Sequence, residues 1–172
     1  MTIGLMRFAT QPPEKVMWGV ASSPVGPLLV GRTEAGEVCR VAFMCGRKAA
    51  EIVSGWQAAW PRTEFLESGE VSDFEAMPRL LTGTAFQHAV WRAMAEIPPG
   101  QVRCYGDIAR QIGKPLAARA VGAACGANPV PYLVPCHRVI AAGGKLGGFS
   151  GGAGVKERLL RGEGYLDKSA AC

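Results

Sequence analysis

The chain has 172 residues, 48% of them apolar, and a net charge of +5; that is enough to bury a core, in one domain or two small ones. Nowhere do about 18 apolar residues follow one another, and the opening MTIGLMRFATQPPEK has no long apolar run after Arg7, so neither membrane insertion nor secretion is expected. Six cysteines without a secretory signal point to the reducing cytosol and to free thiols.

No C-x-x-C pair occurs, and His88 and His137 are the only histidines, so a closed zinc site would need distant ligands to converge and no metal is expected. The charge is uneven: residues 1–82 carry 8 basic against 9 acidic side chains, residues 83–172 carry 11 against 5. The second half is therefore the candidate for a polyanionic partner, provided a DNA-binding motif accompanies it.

In chain order, the first half reads as a small α/β unit. Apolar stretches at Val16 to Ala21, Pro27 to Thr33 and Val38 to Met44, the last two joined by a Glu34-Ala35-Gly36 turn, predict a short antiparallel meander. From Arg47 to Trp60 the residues Ala49, Ile52, Val53, Trp56, Ala59 and Trp60 recur at helical spacing before Pro61, with Trp56 and Trp60 as core anchors. Residues 62–82 are polar with little periodicity and read as a connection. The predicted domains are 1–82 and 83–172.

The second half opens with Thr84 as a cap and Gln87 three residues on, then an apolar face of Phe86, Val90, Trp91, Met94 and Ile97, stopped by Pro98-Pro99-Gly100. His88 lies off that face, as a solvated residue. Asp107 caps a short helix Ile108 to Ile112, and after Gly113, Pro115 takes the first position of an Ala-rich helix to about Cys125. Two short helices about a tight turn suggest helix-turn-helix. The second is almost all Ala and Gly around Arg119, which suits close approach to a grooved partner or close packing inside the domain. Gly143, Gly144, Gly147, Gly148, Gly151, Gly152 and Gly154 crowd the stretch before a helix from Val155 to Arg161. It matches no phosphate-loop or dinucleotide pattern and reads as a backbone wall beside a pocket.

Between these lies Val134-Pro135-Cys136-His137-Arg138. A free thiol is about 3% thiolate at pH 7 and needs a neighbouring base to react. His137 can be that base, and Glu163, framed by glycines, is the best placed carboxylate to orient it. The same three residues would fit a cysteine hydrolase, and from the pattern alone a cysteine beside a histidine is structural more often than catalytic, because buried free cysteines are common.

The longer string Pro135-Cys136-His137-Arg138-Val139-Ile140, preceded by Asn128-Pro129 and Arg119-Ala120-Val121-Gly122, resembles the O-6-alkylguanine-DNA alkyltransferase family. Gly83-Thr84-Ala85-Phe86-Gln87, Ile97-Pro98-Pro99-Gly100, Tyr105-Gly106-Asp107-Ile108-Ala109 and Leu159-Leu160-Arg161-Gly162-Glu163-Gly164 match in order, so the likeness runs from Gly83 to Gly164. It implies an α/β (α+β) fold, with a small ribonuclease H-like N-terminal domain and a mostly helical winged helix-turn-helix C-terminal domain.

The implied activity is irreversible transfer of an alkyl group from O-6-alkylguanine in DNA to Cys136, once per molecule, with O-4-alkylthymine as a further candidate substrate. Cys136, His137, Glu163, Tyr105 and Asn128 would carry the chemistry: a nucleophile, its base through a water, the orienting carboxylate, a hydrogen-bond donor to the leaving base, and a brace. Arg119 would fill the gap left by the rotated nucleotide, with Ala118, Ala120, Gly122 and Pro115 at the DNA, and Tyr105, Val139, Phe149 and Ser150 would shape the base pocket. The resemblance implies no cofactor and no metal, a cytoplasmic, nucleoid-associated monomer, and double-stranded DNA as partner. Cys104 and Cys125 stand where relatives carry other residues and read as core fillers. The alternative within this resemblance, a protein that recognises the lesion without chemistry, is disfavoured by the presence of Cys136; the hydrolase is disfavoured by the Arg119 helix and the basic second half.

Overall fold

A computed structural model of the chain describes residues 6–165, and these divide into two compact units that meet between Gly83 and Thr84. Cys172 lies outside the described residues; among those described, Cys39, Cys125 and Cys136 are free thiols. No helix among the described residues is long and apolar enough to cross a membrane.

The N-terminal unit is a mixed sheet with one helix. Its strands are β1 (Met6–Ala9), β2 (Lys15–Ala21), β3 (Leu28–Arg32), β4 (Val38–Phe43), β5 (Glu64–Glu70) and β6 (Arg79–Thr82), in the order β1-β6-β4-β3-β2-β5. Strands β2, β3 and β4 form the antiparallel meander. In β3 Leu28, Leu29 and Val30 are wholly buried, as expected of a central strand covered on both faces. Helix α1 (Ala49–Ala59) leads from β4 to β5, which lies parallel to β2. Ile52 and Trp56 of α1 pack on Leu29, while Trp60 packs on Val16, Cys39 and Leu80.

Two strands correct the reading of 62–82 as a connection, and β1 has no counterpart in the sequence reading. Strand β5 is an edge strand whose Glu64, Glu67 and Glu70 are exposed, so it lacks the alternation that marks a half-buried strand. Strand β6 has only four residues, held between β1 and β4 by parallel pairing. Pairing that distant in sequence leaves no local periodicity to read.

In the C-terminal unit, helix α2 (Ala85–Ala95) starts with the predicted capping box, Thr84 and Gln87 each bonding the other's backbone N–H. Val90, Trp91 and Met94 on its inner face are wholly buried. His88 is half-buried rather than solvated, its ring centroid 5.8 Å from that of Trp91. Two-residue strands β7 (Arg103–Cys104) and β8 (Val139–Ile140) pair in parallel and place the Tyr105 and Cys136 segments side by side.

Helices α3 (Tyr105–Gln111) and α4 (Ala118–Gly126) are the two arms of the helix-turn-helix. Their starts differ from the sequence reading. Cys104 is the cap of α3, and Asp107 sits three residues later, its carboxylate accepting from the Cys104 N–H at 2.9 Å. Pro115 stands in the turn before α4 instead of at its first position. Trp91 anchors α4 from behind, its indole N–H donating to the Ala124 carbonyl at 2.9 Å. Helix α5 (Ala153–Gly162) closes the unit.

Replacing Trp91 with Phe deletes that bond and part of a fully buried ring. A loss of about 2 kcal/mol is expected, read as a lower urea midpoint by circular dichroism; an unchanged midpoint would show that α4 is anchored some other way.

Candidate active site

Cys136 opens a single 3-10 turn, Cys136–Arg138, directly after Pro135. Its backbone N–H donates to the Val134 carbonyl at 2.8 Å, and only 6% of the residue is exposed. Asn128 braces the approach: its side-chain amide donates to the Val134 carbonyl at 2.8 Å, and its oxygen accepts from the Val130 N–H at 3.1 Å. The strained step between them is Tyr132, a non-glycine residue at φ +77°.

The opening above Cys136 is a cavity of about 610 Å³, within the range of small-molecule sites. Tyr105 and the loop residues Gly148, Phe149 and Ser150 line it on one side; Ala118, Arg119, Gly122, Cys125 and Gly126 of α4 line it on the other. The Tyr105 ring fits between two glycines. A Cβ on Gly122 would meet the ring at 3.8 Å, and one on Gly147, which also sits at φ +71°, would meet its hydroxyl at 3.2 Å.

Behind the thiol stands a charged network. His137 is 1% exposed, and its Nε2 lies 2.9 Å from Glu163 Oε1. A carboxylate only accepts, so Nε2 carries the hydrogen and Nδ1 of the neutral ring is left with its lone pair. That Nδ1 is buried and has no partner among the described residues. Arg138 holds the same carboxylate, with Nε at 3.0 and 3.2 Å and Nη2 at 2.8 Å, and ties it to the segment just after α2 by donating to the Ile97 carbonyl at 2.5 Å. Burial pushes the Glu163 carboxyl up, but the hydrogen bonds from His137 and Arg138 outweigh it and hold it at about 2. Phe149 meets the His137 ring edge-on.

Burial raises the Cys136 thiol above its ordinary value, against the opposing pull of the Asn128 side chain, the Lys156 charge and the Cys136 and His137 backbone amides. The resting sulfur is therefore a thiol, and needs a base. Tyr105 is raised as well, by burial and then by the Cys125 and Cys136 sulfurs, so its hydroxyl stays a donor. Burial and the nearby Cys136 sulfur hold Cys125 at about 12, too high for it to compete as a nucleophile.

The fold thus brings Cys136, His137, Glu163, Asn128, Tyr105, Arg119, Ala118, Gly122, Phe149 and Ser150 together. It places one residue anticipated in the base pocket elsewhere, while two residues anticipated at the DNA lie outside that pocket on the surface. Val139 is wholly buried and forms no part of the cavity wall; its carbonyl accepts from Lys156 Nζ at 2.6 Å. Ala120 and Pro115 are exposed outside the cavity, Ala120 on the open side of α4 and Pro115 in the preceding turn.

Sequence reasoning missed Lys156, Arg138 and the place of Cys125 in the wall. Lys156 is wholly buried, and its ammonium clamps the active-site segment to the glycine loop by bonding both Val139 and Leu146 carbonyls. A signal exists in the sequence: Lys156 shares a helical face with Leu159 and Leu160, an odd place for a charge that is not buried on purpose.

Residues 85–165 match the family model described as 6-O-methylguanine DNA methyltransferase, DNA binding domain. The methylated-DNA-protein-cysteine methyltransferase of Methanosarcina acetivorans is 42% identical over 154 residues, spanning 86% of this chain and 97% of the relative. Among solved structures, Mycobacterium tuberculosis OGT in complex with DNA superposes with a TM-score of 0.69 at 36% identity, over 86% of this chain and 92% of that one. The O-6-methylguanine-DNA methyltransferase of the archaeon Pyrococcus kodakaraensis superposes at 0.68 with 28% identity, over 86% and 99%.

Because the folded Glu163 carboxyl lies below its ordinary 4.5, its stabilising charge is fully present above that pH and is lost as pH falls towards 2. Glu163→Gln should cost on the order of 2 kcal/mol at neutral pH, and the gap to the wild type should close across that acid range in urea titrations. A gap that stays constant with pH would mean that the carboxylate is not held as an ion.

Proposed function

The chain belongs to the methylated-DNA-protein-cysteine methyltransferase family, and from that membership we propose that it repairs DNA by moving the alkyl group of O-6-alkylguanine onto its own Cys136. The observation that carries this reading is the meeting of a buried thiol, a histidine-glutamate pair and a phenol at one base-sized cavity. Double-stranded DNA carrying the alkylated guanine is the partner.

The groups present determine the chemistry. His137 Nδ1 takes the Cys136 proton through a bridging water, and Glu163 with Arg138 holds the imidazolium that results. The thiolate attacks the alkyl carbon in line; the sulfur-carbon bond forms as the carbon-oxygen bond breaks, and the electron pair passes into the guanine. Tyr105 donates to the departing base as its charge develops, an interaction stronger in the transition state than in the ground state. The thioether product has no good leaving group, so each molecule acts once.

Reaching the cavity requires the guanine to leave the duplex stack. Arg119, exposed at the rim where α4 begins, fills the space that the base vacates. The small residues Ala118 and Gly122 let the helix backbone come close to the groove.

Incubation with duplex DNA containing O-6-methylguanine should raise the intact protein mass by one methyl, in one-to-one yield and on the peptide holding Cys136; continued turnover would overturn self-alkylation. Cys136→Ser should abolish transfer and retain DNA binding, whereas parallel loss of both would make the sulfur a structural residue. Arg119→Ala should slow duplex repair by about tenfold or more relative to reaction with free modified base. Equal slowing of the two would remove Arg119 from the flipping step.

A further inference from the structure

Leu116 is 100% exposed; the next most open large hydrophobic side chains among the described residues are Leu66 at 39% and Val20 at 38%. A lone exposed leucine is ordinary on a protein surface, but this one is held in a hydrogen-bonded turn. It is the third residue of a turn that the Ala117 N–H closes onto the Lys114 carbonyl at 2.8 Å, with Pro115 fixing the second position. The Lys114 N–H is itself tied back to the Ala109 carbonyl of α3 at 2.8 Å. The turn therefore holds an apolar tip out in solvent at a fixed place.

The start of α4 defines that place. Two and three residues beyond Leu116, Ala118 and Arg119 line the cavity, so the tip stands next to the first turn of the helix that forms part of the cavity wall. Lys114 and Arg119 flank it, both exposed and neither in an ion pair among the described residues. Two uncompensated cations around one apolar tip do not suit an apolar protein surface, which would leave the cations desolvated. They suit the wall of a DNA groove, where phosphates alternate with the carbon faces of the sugars, and groove-binding proteins pair basic side chains with apolar ones in this way.

Resting on the function proposed above, we propose that Leu116 is an apolar DNA contact: as α4 enters the groove, the turn seats the leucine against the deoxyribose carbons of the wall, while Lys114 meets the adjoining phosphate. An uncharged contact adds affinity without releasing counterions, whereas the Lys114 contact is read through salt. The two therefore separate experimentally.

The test uses the full chain, a fluorescent duplex with a single O-6-methylguanine, and free O-6-benzylguanine. Dissociation constants for the wild type, Leu116→Ser, Leu116→Met and Lys114→Ala are measured at several salt concentrations. Leu116→Ser should bind about tenfold more weakly at every concentration with an unchanged salt slope, and Leu116→Met should restore affinity. Lys114→Ala should lower the slope by about 1. The ratio of the duplex rate to the free-base rate should fall about tenfold in Leu116→Ser.

Wild-type affinity in Leu116→Ser, a changed salt slope, or an equal fall with the free base would each overturn the proposal. So would a sedimentation shift showing that the serine variant has lost a contact between copies of the chain. If the wild type alkylates with neither substrate, it is the transfer reading that fails, and the comparison of duplex affinities still decides the role of Leu116.

Discussion

Burial of the Cys136 sulfur sets the terms for everything around it. A thiol removed from water resists ionisation, so the same enclosure that shapes a pocket for a base also disarms the nucleophile. The chain answers with groups that favour the thiolate without forming it at rest: the Asn128 amide, two backbone N–H groups and the distant charge of Lys156. In the proposed reaction the proton needs a destination, and the Nδ1 of His137, without a partner among the described residues, offers one. Keeping the sulfur neutral until a base is bound protects a protein that can react only once.

The supporting cations Arg138 and Lys156 are as deeply buried as the sulfur, which is costly unless each is satisfied. Arg138 meets this through Glu163 and the Ile97 carbonyl, and Lys156 through two carbonyls in place of a carboxylate. These bonds also have a mechanical role. They join the Cys136 turn to the segment just after α2, to the glycine loop and to the end of α5, and Trp91 of α2 extends the frame to α4. The helix proposed to enter the groove and the sulfur proposed to react are thereby joined through one hydrogen-bonded frame.

Much of this is legible in the residues themselves. The capping box at Thr84, the meander, α1 and the two short helices follow from local periodicity and punctuation, and the Cys136-His137 and Glu163 candidates come from their chemistry. The features that escape depend on distant partners. Strands β1 and β6 exist because they pair with each other across most of the N-terminal unit, and β5 hides behind exposed glutamates on an edge. At the site, Val139 reads as a wall because it adjoins the reactive motif, yet the 3-10 turn delivers it into the core. Lys156 escapes notice because no sequence rule says which lysine will find two carbonyls. Asp107 and Pro115 are each displaced by a few residues from their expected roles, since both sit beside a helix start and only backbone geometry distinguishes cap from third position or turn.

The resting protonation state of Cys136 is the most direct test of why this network exists. Cysteine labelled with carbon-13 at Cβ reports it through a chemical-shift titration of the free protein, with Cys136→Ser used to assign the signal. The expected result is a thiol at neutral pH that begins to ionise only above the ordinary thiol range. A Cys136 already present as thiolate at pH 7 would contradict it, because His137 would then have no proton to receive.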